Sequence, residues 1–217
     1  MDFAAARRIM VDSQIRPNDV TDPDIVAAFM STPREAFVPR SKQAVAYGEL
    51  EIETSPGRAL WTPRDTAKLI TAADPKPTDL ALVIGAGAGY EAALLSGLVD
   101  TVIALEDDDD VVESLTERFT SLDIDDAVAV AGPIEAGLKE QGPFDLILVC
   151  GMVQTLPSAW TEQLAEGGRM AVVMELDRDL GRGRVFTRAG DTVSAADVFD
   201  ARPPKFTAFD KPPAFQF

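Results

Sequence analysis

Residues 80–98 read LALVIGAGAGYEAALLSGL, and this stretch decides the fold. Five short apolar residues run into three glycines spaced two apart, Gly85, Gly87 and Gly89, and a helix-forming segment follows. A buried strand, a tight glycine turn and a helix in that order make the first unit of a parallel α/β sheet. The neighbouring apolar runs agree: TVIALE (101–106), AVAVA (127–131), FDLILVC (144–150) and GRMAVVMEL (168–176) alternate with helical segments. Such continuous apolar strands belong to a sheet covered on both faces. GRVFTRAG and the DTVSAADVFDA that follows read as two strands around a Gly190-Asp191 turn, so the sheet is expected to finish antiparallel.

Upstream of the sheet the pattern is helical. AAARRIMVDSQI and TDPDIVAAFMST carry apolar residues at helical spacing, the second with Thr21 as expected N-cap and Pro23 in the first turn. STPREAFVP repeats the device with Thr32 and Pro33, residues 41–62 read as irregular, and Thr62 caps a helix that Pro63 opens. One unit is expected over 1–217, an N-terminal helical, substrate-side region (1–62) joined to an α/β core (63–217).

Composition narrows the chemistry. The chain has 217 residues, a net charge of −16 and no histidine, which removes Ser-His-Asp and Cys-His catalysis and imidazole metal ligands. Cys150 is the only cysteine, so an internal disulfide and a Cys-rich zinc site are excluded. Nucleic acid is an unsuitable partner for so acidic a surface, and no apolar run reaches the roughly 20 residues that span a bilayer. A cytoplasmic protein is expected. The Phe-rich end, with Phe206, Phe209, Phe215 and Phe217, is expected to cover the core or an edge of the sheet.

In a doubly wound sheet, ligands sit beyond the carboxyl ends of the strands, where the first glycine turn lets backbone approach a cofactor. The dinucleotide fingerprint wants its third glycine at position 90, which is Tyr90, so pyrophosphate binding by an oxidoreductase is disfavoured. The spacing suits the methionine end of S-adenosylmethionine, and a glycine turn without ligand is the alternative. Glu106 falls at the end of the second strand of the core, where an acid accepts both hydroxyls of a cofactor ribose; the alternative is that it opens the EDDDD run and favours the positive end of the next helix.

MVDSQI, PREAFVP, the Ala46-Tyr47 pair, VIGAGAGYEAALLSGL, FDLILV and QLAEGGRMAVV occur here in an order and spacing that resemble the protein-L-isoaspartate O-methyltransferase family over nearly the whole chain. The resemblance implies a Rossmann-like S-adenosylmethionine-dependent methyltransferase fold, a mostly parallel seven-stranded sheet with helices on both faces and an N-terminal helical addition. It implies S-adenosylmethionine as donor and the carboxylate of an isoaspartyl residue in a damaged protein as acceptor. Gly85, Ala86, Gly87, Gly89, Tyr90, Glu106 and Asp107 become the expected donor site. Arg58 and Thr62 become the expected acceptor residues, Arg58 as a clamp for a carboxylate.

Three positions depart from the family. Its G-x-T-I-S-x-P segment, whose hydroxyl holds the acceptor, reads GRALWTP at 57–63, with Trp61 in the serine place. Val83 replaces an acid before the first glycine, and Pro133 follows Gly132 where the family has an Asp that reads adenine. A non-catalytic relative that kept the sheet and serves as a binding or structural protein is therefore the second expectation.

Overall fold

The computed structural model describes residues 1–177 and 180–211. Seven strands form one sheet: β3 (Leu80–Ile84), β4 (Thr101–Glu106), β5 (Ala127–Ala131), β6 (Phe144–Val153), β7 (Leu164–Asp177), β8 (Leu180–Ala189) and β9 (Thr192–Ala201). Their order is β5-β4-β3-β6-β7-β8-β9. The first five run parallel and the last two are antiparallel, as the apolar runs and the Gly190-Asp191 turn predict. The chain reverses its direction of winding between β3 and β6, which opens a crevice at the carboxyl ends of those two strands.

The two faces of the sheet are covered unequally. Ala81, Val83, Ala104, Leu148 and Val173 face one core layer, together with residues from α1 (Phe3–Met10), α2 (Pro23–Ser31), α3 (Pro63–Ala73), α4 (Tyr90–Ser96) and α5 (Asp109–Ser121). Leu82, Ile84, Leu105, Ile147, Val149 and Val172 face the other. There, among the described residues, the cover is one short helix, α6 (Ser158–Glu162), the 133–141 connection and the C-terminal segment. Trp160 anchors α6 by donating its indole N–H to Ile134 O at 2.7 Å. Helices on both faces thus holds in a lopsided form, because the β5–β6 and β6–β7 connections are too short to carry long helices.

The N-terminal region differs from expectation in three places. The first helix does not run on to Ile15 as α-helix: it passes into a π turn at Val11–Ile15 and a 3₁₀ turn at Arg16–Asn18. Pro17 removes a backbone donor there, and Asn18 closes the end by donating to Gln14 O at 2.9 Å. The cap of α2 is Asp22, one residue beyond Thr21: its carboxylate accepts from Asp24 N and Ile25 N. Pro33 has no side-chain cap to offer and Val38 is held extended before Pro39, so PREAFVP makes only a 3₁₀ turn, Arg34–Phe37. The stretch read as irregular contains a second 3₁₀ turn, Arg40–Val45, and a small hairpin, β1 (Ile52–Ser55) paired with β2 (Arg58–Leu60) around Pro56-Gly57. Thr62 caps α3 as expected, accepting from Asp65 N at 3.1 Å.

Candidate functional site

The glycine turn lies at the carboxyl end of β3 and is bent as the sequence requires: Gly85, Gly87 and Gly89 all have positive φ, at 68°, 54° and 86°. Gly89 also answers a packing demand, since a β-carbon on it would meet Leu115 of α5 at 2.5 Å. Gly85 N donates to Leu105 O at 3.0 Å, which fastens the turn to β4. Ala86 is buried within the turn. Tyr90 begins α4 with its ring wholly in the core, edge-on to Phe29 and Phe37, so only its backbone belongs to the turn.

Glu106 ends β4 with its carboxylate out of contact with solvent. Gly87 N donates to its Oε1 at 2.6 Å, tying acid and turn together. Arg58, at the start of β2, takes both oxygens: Nε reaches Oε1 and Nη2 reaches Oε2, each at 2.8 Å. The same guanidinium reaches Asp107 Oδ1 at 2.9 Å. Burial works against the charge on Arg58, but the hydrogen bonds and attraction of Glu106 outweigh it and raise its pKa. Of the expected acceptor pair, Arg58 therefore lies among the residues expected to hold the donor, directly over the turn; a β-carbon on Gly87 would meet its Cβ at 3.4 Å. The Thr62 hydroxyl points to Asp65 N, and Thr62 lines a different cavity with Glu49, Arg64 and Asp200.

A residue not assigned to the site from the sequence completes it. The segment after β9 returns across the strand ends: Met152 N donates to Pro204 O at 2.8 Å and Phe206 N to Met152 O at 2.9 Å. This carries the Phe206 ring into the crevice between β3 and β6. β-Carbons on Gly85 and Gly151 would fall 2.3 Å and 2.5 Å from it, so the ring occupies space that only glycine leaves free. The guanidinium carbon of Arg58 lies 4.8 Å from the ring centroid. Phe206 and Phe209 are both buried, as the aromatic end predicts; Phe215 and Phe217 lie outside the described residues. Phe206 was legible as an aromatic to be tied down, but nothing local in KFTAF indicates which glycines it meets.

The residues that carry the resemblance build the support beneath this site. Arg7 donates to Tyr47 Oη at 2.9 Å and Tyr47 to the Glu35 carboxylate; burial and that bond push the Tyr47 pKa up to about 12. Gln14, from MVDSQI, donates to Tyr47 O at 2.9 Å. Arg34 is fully buried, donates to Ala46 O at 2.7 Å and to Trp61 O, and lies 4.8 Å from the Tyr90 centroid. Arg118 spans from Ala36 O to Ala88 O at 3.1 and 2.8 Å. The Arg34 bond to Trp61 O thus holds the residue that follows β2, and the Arg118 bond to Ala88 O holds the glycine turn. Between hairpin and turn lies a cavity of about 400 Å³, bounded by Phe37, Ser55, Gly87, Asp108 and Arg118.

Among the departures, Trp61 is buried in the support, Val83 continues the apolar core layer, and Pro133 is exposed. Among the described residues no group of three carboxylate or thiol side chains could hold a metal ion, and no helix is long and apolar enough to cross a membrane.

The donor chemistry fits in kind. An acid at the end of β4 and a turn whose Gly85, Gly87 and Gly89 carry no β-carbon suit a nucleoside bearing a sulfonium, although Arg58 and Phe206 stand over them.

Strand order, reversed terminal hairpin, glycine turn and strand-end acid define a Rossmann-like methyltransferase fold. A solved structure of a protein-L-isoaspartate O-methyltransferase superposes with a TM-score of 0.78 at 24% identity over 92% of this chain and 65% of that one. A Plasmodium falciparum structure described as a protein-L-isoaspartate O-methyltransferase in complex with S-adenosyl-L-homocysteine does so at 0.77 and 20%, over 94% and 98%. In sequence, the protein-L-isoaspartate O-methyltransferase of Roseiflexus castenholzii is 33% identical over 93% of this chain and 92% of its own length, and that of Koribacter versatilis 34% over 78% and 77%. A profile of the protein-L-isoaspartate(D-aspartate) O-methyltransferase family matches residues 6–198, and the chain belongs to that family.

Proposed function

We propose that this chain transfers a methyl group from S-adenosylmethionine to the free carboxylate of isoaspartyl residues in damaged proteins. The observation that carries the reading is the buried Glu106 at the end of β4, hydrogen-bonded to the glycine turn, in a chain of this family. Gly85, Ala86, Gly87, Gly89, Tyr90 through its backbone, Glu106 and Asp107 hold the donor. Arg58, in the departed segment 57–63, serves the acceptor side, and Thr62 of the same segment does so if its hydroxyl leaves the α3 cap that it makes with Asp65 N. Residues 1–62 form the substrate-side region and 63–217 the donor-binding core. The lone buried cysteine suits a cytoplasmic setting.

The donor supplies an electrophilic methyl on sulfur. An isoaspartyl carboxylate is ionised at neutral pH, so the O–CH₃ bond forms as the S–CH₃ bond breaks and no proton need be removed. That agrees with a chain without histidine. The protein's work is alignment and exclusion of water. Cys150, the chain's one thiol, is kept protonated: burial pushes its pKa well up.

Labelled methyl transfer to an isoaspartyl peptide, with the aspartyl peptide as control, tests the reading. Incorporation into the first alone is expected, and Glu106→Gln should lower it about 100-fold through donor KM, the loss of two hydrogen bonds worth roughly 1–2 kcal/mol each. A wild-type protein inert at millimolar donor overturns it. The second reading, a non-catalytic relative, draws its support from Arg58 and Phe206, which occupy the donor crevice.

A further inference from the structure

The support beneath the glycine turn is used up by backbone bonds, but the groups above the turn hold one another. Glu106 is satisfied by Arg58 and Gly87 N, Arg58 by Glu106 and Asp107, and the Phe206 ring by Gly85, Gly151 and the Arg58 guanidinium. No backbone carbonyl that anchors the fold depends on Phe206's ring. The segment that carries it is fastened independently: Met152 brackets it by two backbone bonds, Thr155 N donates to Phe209 O at 3.1 Å, and Lys205 pairs with Glu175 at 2.8 Å and Asp210 at 3.0 Å. The fastening of the strap therefore makes no use of the ring it carries.

We infer that Arg58 and Phe206 form an internal plug that the donor must displace, and that its displacement prepares the acceptor site. This rests on the proposed methyl transfer. Two vicinal hydroxyls of a ribose present Glu106 with the same two-point contact that the Arg58 Nε and Nη2 now make. A donor and Arg58 cannot both hold that carboxylate. In the plugged state the guanidinium is neutralised by two carboxylates and offers nothing to a third; once Glu106 is taken over, it becomes the cation beside the glycine turn, open to the cavity by Gly87, and an acceptor carboxylate fits it. Donor binding thus precedes acceptor binding, and the plug lowers the apparent donor affinity by the fraction of molecules that are open.

Calorimetry on the full chain with S-adenosylhomocysteine as probe separates the outcomes. Phe206→Ala and Arg58→Gln should each bind the probe at least tenfold more tightly than wild type, and Phe206→Leu, which keeps the apolar bulk without the stack, should fall between if Phe206→Ala unfolds. A merely structural role predicts the opposite sign, since damage to a core position weakens binding. An isoaspartyl peptide should bind wild type only in the presence of the probe, and Arg58→Gln should lose that enhancement while gaining probe affinity. If wild type binds the probe in the micromolar range and no variant binds more tightly, or if the peptide binds equally without the probe, the plug is overturned and the methyl-transfer reading stands. If neither wild type nor any folded variant binds at millimolar probe, both fall.

Discussion

Two arginines in this molecule lie over aromatic rings with the same separation, 4.8 Å, and the likeness ends there. Arg34 over Tyr90 is fully buried and spends its hydrogen bonds on backbone carbonyls of Ala46 and Trp61. Arg58 over Phe206 keeps an edge to solvent and spends its three shortest bonds on the side chains of Glu106 and Asp107, with one longer bond to Gly57 O. A carbonyl fixed in the chain has no other partner once its donor is gone, whereas a carboxylate held by side chains can exchange one partner for another. The first arrangement holds the fold, and the second is open to replacement by a ligand.

Truncation of the two arginines sets that contrast to its severest test. Arg34→Ala removes two charge-assisted bonds from buried carbonyls and leaves a void beneath Tyr90, so a loss of about 3 kcal/mol or more is expected, roughly 6–12 °C in Tm. Arg58→Ala opens the crevice to water, which solvates Glu106 in place of the guanidinium, and should cost about 1–3 kcal/mol, less than Arg34→Ala. Saturating S-adenosylhomocysteine should restore Arg58→Ala above the unliganded wild type while leaving the Arg34→Ala deficit in place. Thermal unfolding of the three proteins with and without the probe decides the matter; equal losses, or rescue of both variants, would erase the distinction.

The difference also marks what could be read from residues in order. The parallel run was legible because β3, β4 and β5 are continuous apolar strands with bounds that match LALVI, TVIALE and AVAVA, and because the Gly190-Asp191 turn has only one sensible partner pattern. The hairpin at 52–60 was not legible, since strands of four and three residues carry too little alternation to stand out. At the site, the turn and Glu106 follow from spacing along the chain, and Thr62 from its place before Pro63. The meeting of Arg58, Glu106 and Phe206 does not: it joins residues 48 and 100 positions apart, through a hairpin and a returning C-terminal segment that each require the whole sheet to exist first. Arg58 was expected to clamp a substrate carboxylate; the carboxylate it now holds belongs to its own chain.

Thr62 stands between the two regions, at the end of the Arg58 segment and at the head of α3. Its hydroxyl accepts from Asp65 N, and Thr62→Ala should therefore cost about 1 kcal/mol through the lost cap. Thr62→Ser should recover the stability. If the residue also serves the acceptor, methyl transfer to an isoaspartyl peptide at a temperature where both variants are fully folded should fall in Thr62→Ala and return in Thr62→Ser. Unchanged transfer in Thr62→Ala confines the residue to the cap and leaves Arg58 alone on the acceptor side.

Glu91 gives the finest test, because it is the carboxylate of the Arg34 region as Glu106 is that of the Arg58 region. It is buried on α4, hydrogen-bonded by the Thr66 hydroxyl at 3.3 Å, and attracted by Arg34 without pairing to it. Burial raises its pKa, and the bond from its own backbone N–H, the attraction of Arg34 and the Thr66 bond offset this only in part. The sign follows: a carboxyl whose pKa is higher folded than unfolded binds its proton more tightly in the native state, so it detracts from stability increasingly as pH rises through and above the ordinary carboxylate range. Glu91→Gln keeps the shape and the Thr66 contact without the charge. It should therefore raise Tm modestly at pH 8, with the gain shrinking as pH is lowered towards 4. A loss at pH 8 would mean that Arg34 pairs with Glu91 as Arg58 pairs with Glu106, and the two arginines would then differ in depth but not in kind; a gain independent of pH would mean that the charge of Glu91 is not what costs stability.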